Sequence, residues 1–155
     1  MTKRNFAMAV ALALVAVTPG LVEAEEAEET KTGNSVVVEV SNLKTDEGPI
    51  RCSIFSEEEG FPGEVKKADK KMWVQPKSKK ATCIFDGMKP GTYAVAVMHD
   101  LDKNGELNKS FVGKPKEPWG VSNNAPAERF GPPKYENCKF RYEGGKKTLK
   151  IKLQR

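Results

Sequence analysis

Histidine, cysteine and long apolar runs are what this 155-residue chain has little of. A zinc site takes several His or Cys ligands, and the single histidine, His99, cannot build one alone. The three cysteines, Cys52, Cys83 and Cys138, are odd in number, so at most one pair forms within a monomer. The apolar run 7–17 is too short to cross a bilayer comfortably. No basic stripe interleaved with aromatics is present, so nucleic acid is not among the expected partners. No Ser-His-Asp or Cys-His arrangement stands out at local spacing, although triads need not be local. No internal repeat is visible, and the length suits one domain better than two.

What is present points to strands and turns. Hydrophobic residues make up 38% and the mean hydropathy is −0.56, which fits a soluble protein with a modest core. Thirteen glycines and ten prolines imply many turns, as in an all-β chain.

The N-terminus reads as an export signal. Lys3 and Arg4 precede the apolar run, Pro19 and Gly20 break it, and Val22-Glu23-Ala24 offers compact residues where signal peptidase cuts. Residues 1–24 are therefore expected to be removed, and the protein to be periplasmic or secreted. The alternative is an N-terminal membrane anchor; the remaining chain holds no transmembrane segment. Residues 25–34 are expected to form a flexible tail, with acids at Glu25, Glu26, Glu28 and Glu29. Cleavage changes the formal charge from +5 to +4, and without the four glutamates the rest stands near +8. Its scattered lysines suit solvated faces and edge protection.

Residues 35–155 read as one domain. Period-two alternation predicts strands over 35–40, 50–55, 79–85, 92–99, 137–142 and 148–153, and two helical turns over 64–71. Both faces of 92–99 are apolar, so that strand is expected at the centre of a sheet. Trp73 is expected in the core. Six short strands argue for an antiparallel β-sandwich, immunoglobulin-like or transthyretin-like, with a long loop at one end.

That loop, from His99 to Gly131, carries the chemistry. Asp100, Asp102 and Asn104 alternate and Gly105 follows, matching the first half of a calcium loop of the D-x-[DN]-x-[DN]-G type. Such a loop wraps its alternate side-chain oxygens around one ion. Glu106 would add a backbone carbonyl, and Asn108 an oxygen or a water contact. The twelfth position, where a bidentate glutamate belongs, is Phe111, so a full EF-hand is excluded; Glu117 could complete the shell instead. A plain Asx-rich turn, needing no ion, is the alternative. Calcium is the only cofactor the sequence suggests.

His99, Glu117, Trp119, Ser122, Asn123 and Asn124 are candidates to line a ligand site. His99 serves either as a structural residue locking the loop or as a functional group. Trp119 either stacks on a ligand, beside the amides of Asn123 and Asn124, or caps the end of the sandwich. If a disulfide forms, Cys52–Cys83 is the expected pair, since both lie on inward faces of strands near in chain order.

Several stretches together resemble a known family. These are 48–55, Gly60-Phe61-Pro62, 85–95, 99–105, 113–117, 119–124 and Phe130-Gly131-Pro132-Pro133. They are similar to a bacterial extracytoplasmic family known as domain of unknown function 2141. The resemblance implies a secreted or periplasmic β-sandwich of uncharacterised role. An aspartate is common in that family where this chain has Asn108. The expected function is a non-enzymatic binding or envelope-associated module, acting on an unidentified ligand or envelope component, with a calcium-stabilised loop. The alternative is a hydrolase-type enzyme using His99 with a neighbouring carboxylate.

Overall fold

The computed structural model describes residues 33–155. The expected signal peptide, and residues 25–32 of the expected tail, lie outside the described residues. Eight strands and one short helix follow in order: β1 Ser35–Ser41, β2 Ile50–Phe55, β3 Lys70–Val74, β4 Ala81–Asp86, β5 Gly91–His99, β6 Trp119–Val121, α1 Tyr135–Cys138, β7 Phe140–Tyr142 and β8 Lys146–Lys152.

The strands form two sheets. One has the order β4-β1-β8; the other runs β3-β2-β5-β6, with β7 also pairing to β5. Pairing is antiparallel throughout except between β1 and β8, which run parallel from Ser35 opposite Lys146 to Ser41 opposite Lys152. The fold is thus an all-β, two-sheet sandwich. β5 is central, with β2 on one edge and both β6 and β7 on the other.

Alternation decides which side chains meet between the sheets. Val36, Val38, Val40, Cys83, Phe85 and Ile151 from the first sheet pack against Ile50, Cys52, Ile54, Val95 and Val97 from the second. The Sγ atoms of Cys52 and Cys83 are bonded, with Cα atoms 6.5 Å apart, so a covalent link crosses this layer. A second cluster forms on the outer face of the larger sheet. There Phe55, Ala94 and Val121 are covered by Tyr135, Cys138 and Phe61, and the Phe61 ring stands edge-on to both Phe55 and Tyr135.

Three local expectations need correction. Residues 64–71 hold one 3-10 turn, Val65–Lys67, and then enter β3. β3 is an edge strand: Met72 and Val74 pack on the core while its lysines face water, and this lysine content imitates a helix surface. Trp73 consequently points outward and is 45% exposed, not in the core. The stretch 137–142 is not one strand. Cys138 ends α1 and faces the outer cluster, and only Phe140–Tyr142 pairs with β5.

Candidate functional site

The acidic loop hangs between the ends of β5 and β6. β5 delivers His99 and Asp100 to the sheet edge, where the Asp100 N–H donates to the Pro49 carbonyl at 3.0 Å. Gly48 makes this close approach tolerable: at φ +77° it lies where a Cβ would fall 2.2 Å from the Asp100 carbonyl oxygen. The chain then turns tightly through Gly105, also left-handed at φ +82°.

Asp100 closes that turn from inside. Its Oδ1 accepts from the Asn104 N–H at 3.1 Å and its Oδ2 from the Gly105 N–H at 2.8 Å. Glu117 ties the far side, accepting from the Leu101 N–H at 2.8 Å and the Asn108 N–H at 3.1 Å. The two side chains are 1% and 4% exposed. Asp102 is exposed, yet one oxygen from each of Asp100, Asp102 and Glu117 falls within 4.8 Å of the others.

Two side-chain amides gather on Asp102. The Asn104 Nδ2 donates to Asp102 Oδ2 and Asn108 Oδ1, at 3.1 and 3.0 Å, and the Asn108 Nδ2 also donates to Asp102. The Asn104 Oδ1 accepts from the Glu106 N–H at 2.7 Å. Asp100, Asp102 and Glu117 offer carboxylate oxygens and Asn104 and Asn108 an amide oxygen each, the donor type a hard cation prefers.

Arg51, which the sequence does not single out, sits beside this cluster. It lies on the outward face of β2, donates from Nη1 to the Gly105 carbonyl at 2.7 Å, and stacks on the Trp73 ring with its guanidinium carbon 5.5 Å from the centroid. Burial lowers its pKa from the ordinary arginine value, while Asp100, Glu106 and Glu117 pull it back up. Pro49, Trp73, Asp100, Lys103, Asn104 and Gly105 line an open groove of about 310 Å³ next to it.

The other candidates go elsewhere. His99 is fully buried; its Nε2 pairs with the Glu47 carbonyl at 2.7 Å, and its Nδ1 has no protein partner. Among the described residues no carboxylate hydrogen-bonds His99. Trp119 is half-buried on β6 and exchanges backbone hydrogen bonds with Gln154. Ser122 is buried; its hydroxyl donates to the Cys138 carbonyl at 2.6 Å and accepts from the Val95 N–H at 2.9 Å. Asn123 donates to the Asn137 and Lys139 carbonyls. Asn124 clamps β8 by donating to the Lys150 carbonyl and accepting from the Lys152 N–H. These three polar side chains hold the loop to the fold.

Fold and site together define a class: a two-sheet β-sandwich with a carboxylate-lined loop at one end. The chain belongs to the bacterial family described as "Uncharacterized protein conserved in bacteria (DUF2141)", which it matches over residues 38–150. No curated protein and no solved structure matches it.

Proposed function

We propose that the protein is an exported, non-enzymatic binding module whose 100–117 loop is braced by calcium. The observation that carries this reading is the burial of Asp100 and Glu117 in one acidic cluster with Asp102. Among the described residues none of the three forms an ion pair within 4.0 Å. Converging carboxylates that are taken out of water repel one another unless a cation sits with them. Arg51 supplies one positive charge against three carboxylates, and it bonds a carbonyl rather than any of them. Calcium fits because the donors are all oxygens on an irregular loop, and calcium tolerates such geometry where magnesium demands an octahedron. Glu117 stands in for the acid missing from the twelfth position. The groove beside Trp73 is the face such a braced loop would offer to a ligand.

The reading is tested by thermal melting and titration calorimetry, in chelator and in millimolar calcium. With few charged ligands, the expected affinity is that of extracellular modules, on the order of 10⁻⁴–10⁻³ M. At tenfold excess over Kd the ion should stabilise the fold by about 1.4 kcal/mol. Asp102→Ala should remove that gain and leave the calcium-free melting temperature nearly unchanged, because Asp102 is exposed. Equal melting temperatures of the unmutated protein in both conditions, with no heat of binding, would leave a hydrogen-bonded Asx turn and no cation.

A further inference from the structure

Between the carboxylate cluster and β6 the chain makes a small hairpin with an apolar tip. Lys109 and Pro115 bridge its stem. The Ser110 N–H donates to the Lys114 carbonyl at 2.7 Å and the Gly113 N–H to the Ser110 carbonyl at 2.8 Å. Phe111 and Val112 thereby take the two central positions of a tight turn, where Pro, Asp, Asn and Gly are usual. Phe111 is fully exposed and Val112 is 73% exposed, and neither joins either apolar cluster. The turn does not require these side chains and the core does not use them. Lys109, Lys114 and Lys116 flank them in sequence, and since 109–116 contains no acid this stretch carries a charge of +3.

We propose that the Phe111–Val112 tip docks the protein on an anionic lipid bilayer. Two exposed apolar side chains flanked in sequence by exposed lysines match a surface that is apolar beneath and negatively charged above. A stable protein interface buries upwards of about 1,000 Å², far more than one turn provides. The tip is also held out rather than left to collapse. The Lys116 N–H donates to the Asn108 carbonyl at 2.7 Å, and Asn108 is tied in turn to Glu117. Asn108 and Glu117 also belong to the calcium set, but the hydrogen bonds that hold the tip form without an ion, so the proposal goes beyond the calcium reading and does not need the ion.

The test is co-sedimentation with vesicles in the presence of chelator, which separates it from any calcium effect. The protein should bind vesicles containing equal parts of phosphatidylglycerol and phosphatidylcholine. Binding should fall roughly tenfold or more on phosphatidylcholine alone and in high salt, as screening of the lysines requires. F111S/V112S should lose binding by roughly tenfold or more, two apolar side chains having left the interface. Its melting temperature should not change, because neither side chain packs on the core. Undiminished binding by F111S/V112S, equal binding to neutral vesicles, or no binding by the unmutated protein would each overturn the proposal.

Discussion

Cys138 ends α1 inside the outer cluster, and burial pushes its thiol pKa up to about 11 from 9.0. The unfolded thiol ionises first as pH rises, so the stability tied to the protonated thiol is whole below pH 9 and is lost on the way to pH 11. The loss is on the order of 3 kcal/mol, two steps of about 1.4 kcal/mol each. Burial also raises the pKa of Tyr93 and Tyr135, so their contributions decline with rising pH in the same direction. Denaturant unfolding of the unmutated protein and of Cys138→Ala across this range should therefore show a shallower decline in the variant. Parallel curves would mean that the thiol titrates no differently in the fold. Residue identity shows less than this. Cys138 is legible in the sequence as a buried thiol, but not the helical turn that carries it. Arg51 reads only as an outward position on a strand, because its partner, the Gly105 carbonyl, is more than fifty residues away. Ser122, Asn123 and Asn124 look like ligand contacts for the opposite reason: amide and hydroxyl groups in a loop give no sign of whether backbone or ligand will take them.

At the scale of elements, the Cys52–Cys83 link joins β2 of one sheet to β4 of the other across a separation of 31 residues. Closing a loop of that length in the unfolded chain is worth roughly 3–4 kcal/mol in the chain-entropy account. Reductant should accordingly lower the unfolding free energy by about that amount, read from urea curves with and without it. Non-reducing peptide mapping should find Cys138 outside any bridge; a fragment joining Cys138 to either other cysteine would contradict the assignment. The strands with regular apolar alternation, β1, β2, β4, β5 and β8, are readable from the chain. β3 is not, since an edge strand needs only Met72 and Val74 on its inner face and may carry charge elsewhere. β6 is not either: three residues within a Gly- and Pro-rich loop offer no period, and pairing with Ala96–Met98 makes the strand. The acidic loop is the reverse case. Its spacing is local, so the convergence of Asp100 and Asp102 is legible, and only the return of Glu117 depends on the hairpin between them.

For the molecule as a whole, the sequence reading places the mature N-terminus at Glu25. Intact-mass measurement of protein recovered outside the cytoplasm should show loss of residues 1–24, and a mass that retains Met1 would defeat that expectation. Among the described residues no helix is long and apolar enough to cross a membrane. The parallel pairing of β1 with β8 has a further consequence, for the order of events in folding. Ser35 meets Lys146, 111 positions later, so the middle strand of the smaller sheet gains its second neighbour only after almost the whole described chain has been made. Contacts this distant must close a long loop before they return any energy, which slows folding into the millisecond-to-second range typical of all-β sandwiches. A nascent chain missing β8 has an open edge on β1, so the smaller sheet, and with it the finished sandwich, can form only once the last strand has been made.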